Sequence, residues 1–231
     1  MDWHLIDKIE TLDTPFLAVY KDRVEKNIRA AISRVKDPAR LRPHVKTNKI
    51  AEVCCMMMEA GIGKFKCATI AEAEMLGMIK AKDVLLAYQP VGPKAARLLA
   101  LTEQYPETSF SCAVDDAAAA EHLSELFLRA GKKLSVYIDL NTGMNRTGIL
   151  PAKAEALFDT LQSLKGIEVT GVHFYDGHLT GIDIRQRQLD SDKEFDEAMK
   201  AVAAIEQKMN GPLAIVAGGS PTFPTHAGRK V

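Results

Sequence analysis

Four short stretches of the chain carry side chains capable of chemistry, and each follows an apolar, strand-like run. The first is Arg42-Pro43-His44-Val45-Lys46-Thr47. A lysine just past a strand end can serve as a Schiff-base nucleophile where burial favours its neutral amine. By position alone the commoner case is a solvated loop lysine. The second is Gly218-Gly219-Ser220-Pro221-Thr222. Adjacent glycines let backbone N–H groups approach an anion, and Ser220 and Thr222 add hydroxyls; the plainer reading is a tight turn. The third, Asp139-Leu140-Asn141-Thr142-Gly143-Met144-Asn145-Arg146-Thr147-Gly148, is a glycine-bearing loop with one arginine. Arg146 suits a phenolate, carboxylate or ring nitrogen, or equally Asp139 and nearby loop carbonyls. The fourth is His173-Phe174-Tyr175-Asp176-Gly177-His178. His178 has the chemistry of a general acid–base or metal partner, although a lone loop histidine more often only hydrogen-bonds. His173 shares a strand face with Tyr175 and reads as a core histidine.

The elements that would position these groups alternate between short β-rich runs and longer helical stretches. Strands are expected near 16–20, 41–46, 64–68, 84–88, 109–114, 134–140, 169–175 and 213–217. Helices are expected between most of them, with Gly61 as a stop, Asp115 or Asp116 as an N-cap, Pro151 at a first turn, Gly166 at a helix end and a long helix over 184–209. Repeated strand–helix units imply parallel strands with right-handed crossovers. Pattern alone does not separate a doubly wound sheet from a closed barrel, which needs eight strands. A barrel would bring all four stretches to one mouth. Residues 222–231 show no closing helix or strand, so the polypeptide reads as cut short or as ending in a tail.

Composition narrows the function. Lysine plus arginine and aspartate plus glutamate number 30 each, which gives no electrostatic case for nucleic acid or an anionic membrane. Four cysteines, Cys54, Cys55, Cys67 and Cys112, have neither zinc-site nor disulfide spacing and are expected to be reduced. The N-terminus carries charges where a signal peptide needs apolar residues, and no run is long enough to span a bilayer, so a cytoplasmic location is expected. The Gly-Gly-Ser turn matches neither a Walker loop nor a dinucleotide fingerprint.

Taken together, the four stretches closely resemble, in order and spacing, the motifs of the D-threonine aldolase and D-serine dehydratase family of fold-type III pyridoxal-phosphate enzymes, relatives of alanine racemase. Arg42 to Thr47 resembles the cofactor-lysine motif, 139–148 the arginine loop, Tyr175 to His178 the Tyr-(Asp/Glu)-Gly-His segment, and 218–222 the phosphate turn. One departure is Asn48, where the family usually has histidine. The resemblance implies a TIM-like (β/α)8 barrel over residues 1–231, incomplete before its last strand and a C-terminal β domain. It implies pyridoxal 5'-phosphate carried as a Schiff base on Lys46, with Arg146 beside the pyridine and Tyr175 near the ring. Gly218, Gly219, Ser220 and Thr222 would hold the phosphate, and His178 would do substrate-side acid–base work. The implied activity is that of a lyase on D-3-hydroxy amino acids, aldolase-like, with dehydratase or racemase chemistry and a non-catalytic pyridoxal-phosphate carrier as alternatives. A divalent metal, zinc or manganese, is implied for the whole family protein, with ligands outside this sequence. The implied partner is a small D-amino acid, with no nucleic acid or membrane; a homodimer is compatible.

Overall fold

A computed structural model describes residues 4–209 and 211–229. These form one sheet of six strands: β1 (Lys64–Cys67), β2 (Asp83–Leu86), β3 (Ser109–Val114), β4 (Leu134–Leu140), β5 (Ile167–Phe174) and β6 (Ala214–Ala217). All pairs are parallel and the spatial order is the chain order. Doubly wound sheets reverse their strand order and carry helices on both faces. Strictly sequential right-handed crossovers keep the helices on one face and let the other curl into a barrel interior. The helices are α1 (Lys21–Val35), α2 (Ala51–Glu59), α3 (Ile70–Met78), α4 (Pro93–Gln104), α5 (Ala117–Arg129), α6 (Pro151–Leu161), α7 (Ile184–Met209) and α8 (Phe223–Ala227). None of the described helices is long and apolar enough to cross a membrane. The four cysteines are unpaired, and Cys54, Cys67 and Cys112 are buried.

The two-residue period of a strand separates two environments. Phe65, Val84, Cys112, Ile138, Val172 and Phe174 are buried in the core packed by the helices. The alternate positions carry Lys66, Asp83, Ser111, Tyr137, Asp139 and His173 along with Leu85 and Ala113, so the opposite face is largely polar and charged. Asp139 and His173 lie directly across from one another in the β4–β5 register. Local signals set the helix starts: Thr69 accepts from Glu72 N at the head of α3, and Asp116 from Ala119 N at the head of α5.

Several sequence expectations change. Residues 16–20 join no strand, and Phe16, Leu17 and Val19 stay exposed. Apolar, β-branched composition favours a strand only where a neighbouring edge accepts its backbone groups. Residues 41–46 form only an abbreviated strand: His44 makes a single parallel bridge with Lys66, and Lys66 N donates to Pro43 O (2.8 Å). The α6 helix stops at Leu161, before Gly166. Past Thr222 the chain does form a closing helix, α8, with proline in its first turn. Arg40 donates to Ala227 O (3.0 Å) and Arg229 O (2.9 Å), and Arg229 pairs with Asp192 (2.6 Å), which ties this end of the chain to α7 and to the segment before Lys46.

Gly171 shows how tightly β5 sits in the sheet. A Cβ there would lie 2.3 Å from Ala214 O and 2.5 Å from Tyr137 Cε1. Backbone cannot yield as a flexible side chain does, so Gly171→Ala is expected to destabilise the fold by about 1–3 kcal/mol. Urea unfolding measures this, and an unchanged midpoint would show that β5 and β6 are not so closely apposed.

Candidate active site

Lys46 is positioned from three directions. Arg42 makes a two-pronged ion pair with Asp83 (2.7 and 2.6 Å), which pins the abbreviated strand to the edge of the sheet. The His44–Lys66 bridge aligns it with β1. His44 Nδ1 then accepts the Lys46 N–H (3.2 Å) at the head of a single 3-10 turn over Val45–Thr47. Burial, followed by the charges of Lys66 and Lys46, lowers His44 to about 4. Its ring is therefore neutral near pH 7, as an accepting Nδ1 requires. The Lys46 side chain is exposed. Its Nζ stands 5.7 Å from the centroid of the Tyr175 ring and has no hydrogen-bond or ion-pair partner among the described residues.

Tyr175 is the focus of the site. Besides Lys46, the Arg146 guanidinium lies 5.1 Å from its ring centroid and Lys66 Nζ 5.9 Å, all within cation–π range. The loop that presents Arg146 is braced by asparagine. Asn141 Oδ1 accepts from Gly143 N (3.1 Å) and Asn145 N (3.0 Å), and Gly148 N donates to Asp115 (2.7 Å). Arg146 makes no hydrogen bond or ion pair with Asp139 or with loop carbonyls; it faces the aromatic ring and borders an open cleft of about 380 Å3 with Asp115, Asn141 and Thr147.

The 218–222 turn abuts the same tyrosine. A Cβ on Gly219 would fall 2.9 Å from Tyr175 Cε2, and one on Gly218, whose φ is +100°, 2.7 Å from His226 Cδ2. Close approach therefore demands both glycines. Thr222 is fully buried. Its hydroxyl donates to Asp176 Oδ1 (2.7 Å) and accepts from Gly219 N (3.1 Å), so it shapes the turn, while Ser220 is exposed at its apex. Asp176 Oδ2 accepts from His226 Nε2 (2.8 Å) and Ser191 Oγ (3.3 Å). This is not a Ser–His–Asp nucleophile system: serine and aspartate both meet His226 at Nε2, whereas a triad uses opposite ring nitrogens.

His178 belongs to a separate group. Its Nε2 meets Glu194 Oε1 at 2.9 Å against Gly143. Burial raises the Glu194 carboxyl above its ordinary value, partly offset by His178. The His178 Nδ1 is left without a partner.

The structure thus gathers Lys46, Arg146, Tyr175 and the 218–222 turn, and sets His178 beside the arginine loop. Sequence reasoning missed three contributors. Lys66 was read only as part of a strand, Asp139 as a possible partner of Arg146 rather than of His173, and Asp176 as a motif position without a role of its own. The available signal was the Lys64-Phe65-Lys66-Cys67 alternation, since a strand of a parallel sheet is ordinarily apolar on both faces.

Fold and site together define an α/β-barrel protein in which two lysines and an arginine gather about the Tyr175 ring. The chain belongs to the alanine racemase, N-terminal domain family, whose model matches residues 19–229. It is 23% identical over 215 residues to a D-threonine aldolase of Arthrobacter sp, covering 92% of this chain and 56% of that protein. It is 30% identical over 144 residues to a D-threo-3-hydroxyaspartate dehydratase of Delftia sp. (strain HT23), covering 62% and 37%. Among solved structures, D-threonine aldolase from Filomicrobium marinum superposes with a TM-score of 0.83 at 27% identity, covering 95% of this chain and 60% of the other. The Delftia sp. HT23 dehydratase gives 0.81 at 27%, covering 92% and 57%. The chain therefore spans little more than half the length of these relatives, or less.

Proposed function

We propose that this chain is the cofactor-bearing barrel portion of a pyridoxal-phosphate-dependent lyase acting on D-3-hydroxy amino acids, with aldol cleavage to glycine and an aldehyde as its reaction. One observation carries the reading: three cationic side chains converge on the Tyr175 ring, and of its two lysines only Lys46 is exposed and without a hydrogen-bond partner among the described residues. Lys66 is bonded to His173, and Lys49 to the buried carboxylate of Glu72. A flat, anionic, aldehyde-bearing ring fits a site with an aromatic wall, excess positive charge and one free amine.

Lys46 would hold the aldehyde carbon, Tyr175 would lie against the ring, and Arg146 would supply positive charge beside it. The phosphate would sit at the 218–222 turn, met by the exposed Ser220; Gly218 and Gly219 supply the close backbone approach, their own N–H groups being given to Phe174 O (3.3 Å) and Thr222 Oγ1 (3.1 Å), and Thr222 maintains the shape through Asp176. When bound, the cofactor supplies an electron sink for charge developing at the substrate Cα. His178, part-exposed and paired through Nε2 with Glu194, would hold or move a substrate hydroxyl proton, although its Nδ1 is buried. No group of three or more His, Cys, Asp or Glu side chains suited to holding a metal ion is gathered among the described residues.

Dehydration is the second reading, favoured by the 30% identity to the Delftia enzyme. Products separate the two: glycine plus an aldehyde, or a 2-oxo acid plus ammonia.

The first test adds pyridoxal phosphate to the purified chain, records the visible band, reduces with borohydride and maps the labelled peptide. Label on Lys46 supports the reading. A well-folded protein that shows neither band nor label overturns it.

A further inference from the structure

Lys66 is the least expected residue of the site. It sits in the middle of β1 on the concave face, only 8% exposed. Its Nζ meets His173 Nε2 at 3.2 Å, and His173 Nδ1 meets Asp139 Oδ1 at 2.6 Å. Asp139 Oδ1 accepts a hydrogen bond from Nδ1–H and leaves Nε2 as acceptor, so the chain runs lysine N–H to imidazole to carboxylate. Burial, followed by the charge of Lys66, lowers His173 and keeps it neutral.

A buried lysine that only stabilises a fold is ordinarily satisfied by a carboxylate in contact. Here the carboxylate is one imidazole away, and His173 is the single hydrogen-bond partner of Lys66 Nζ among the described residues. An ammonium has three donors, so two are unspent. The charges facing Lys66 are Lys46 and His44 from the 3-10 turn, Arg42 from the abbreviated strand, Asp139 from β4, His173 from β5 and Arg146 from its loop. Asp83 already neutralises Arg42. Of the groups facing Lys66, Asp139 is then left to offset Lys46, Lys66 and Arg146, while Asp176 is engaged by Thr222, His226 and Ser191 and Asp115 by Gly148 N, so the Tyr175 side is short of negative charge.

We propose that Lys66 is a second ligand-facing cation of this site, held from behind by the Asp139–His173 pair and donating its free N–H groups to an anionic oxygen of a ligand lying on the Tyr175 ring. The inference rests on the cofactor reading above and adds to it a binding residue other than the anchoring lysine. Burial and the neighbouring cations Lys46, Arg42 and Arg146 lower Lys66 to about 8, with Asp139 opposing them. Raising the pH through that value removes the charge, so anion affinity falls above it.

The probe is 4'-deoxypyridoxine 5'-phosphate, which lacks the aldehyde and cannot react with Lys46. Its binding is measured by calorimetry from pH 7 to 9.5, with borohydride trapping of pyridoxal phosphate on Lys46 as a parallel readout. Losing a charge-assisted hydrogen bond costs about 10- to 100-fold in affinity, so Lys66→Met is expected to weaken binding by at least about 10-fold at pH 7.5 and to flatten the pH profile. Lys66→Arg, which keeps its charge, is expected to restore affinity and extend tight binding past pH 9. Asp139→Asn retains Lys66, removes the charge behind it, and gives an intermediate loss. If Lys66→Met traps pyridoxal phosphate on Lys46 and binds the probe as the parent does at every pH, the role of Lys66 is overturned and the cofactor reading stands. If the parent neither traps pyridoxal phosphate nor binds the probe, both fall together.

Discussion

Replacing Lys46 with alanine is expected to abolish borohydride-stable labelling and to weaken pyridoxal-phosphate binding roughly 100-fold, equivalent to about 3 kcal/mol. The melting temperature should stay within about 2 °C of the parent, because an exposed side chain without partners contributes little to stability. Lys46 fits that description: its amine meets only the face of Tyr175. Its backbone N–H, which holds the 3-10 turn through His44, survives the substitution. Of the other amines, Lys49 is paired with the buried Glu72, and Lys66 is buried in β1 with one N–H given to His173. Mass mapping after reduction is the decisive measurement. Label that persists in the variant on Lys66 or Lys49 would move the anchoring role there and refute the assignment to Lys46.

The second large effect is structural and centres on Asp176. Its carboxylate is only 2% exposed and accepts from Thr222, His226 and Ser191. Asp176→Ala leaves three donors without their acceptor, so a loss of about 3–5 kcal/mol is expected, or roughly 10 °C in melting temperature. Because Thr222 and His226 lie in or beside the 218–222 turn, phosphate affinity should fall with it. The pH dependence follows from the same contacts. Burial pushes the Asp176 carboxyl up, but the hydrogen bonds from His226 and Thr222 outweigh burial and hold it below its ordinary 3.8. A depressed carboxyl contributes its stability fully above the unfolded value and loses it as the pH falls through the lower folded value. Asp176→Asn should therefore be less stable at pH 7 and should lose less of its stability in acid below about pH 4. Urea midpoints across pH 2.5–7 test both. A variant that melts with the parent would show that this buried cluster does not hold the turn.

Much of the site was legible because its chemistry is written locally. Lys46, Arg146, Tyr175 and the 218–222 glycines each follow an apolar run, and in a parallel sheet such positions share one edge. The long helix over Ile184–Met209 and the Asp116 cap were legible for the same reason, since helical periodicity and capping are short-range. Residues 16–20 misled because their composition suits a strand, yet pairing depends on an edge that no local pattern specifies. Lys66 escaped notice because one lysine in a four-residue strand looks like a solvent-facing position until the curl of the sheet turns that face inward.

The sequence by itself determined the element order and the parallel architecture and singled out Lys46 as the candidate amine, since these follow from periodicity, crossover handedness and a motif resemblance. Only the tertiary structure decided which charges are uncompensated. Asp139 and His173 stand 34 residues apart and Lys66 another 107 from His173, and strand register alone brings them into line. The hydroxyl of Thr222, assigned from sequence to a ligand, was claimed instead by Asp176 across a separation of 46 residues. Burial supplies the physical reason: a polar group withdrawn from water must find its partner wherever the fold places one, and that partner is set by packing in three dimensions rather than by neighbours along the chain.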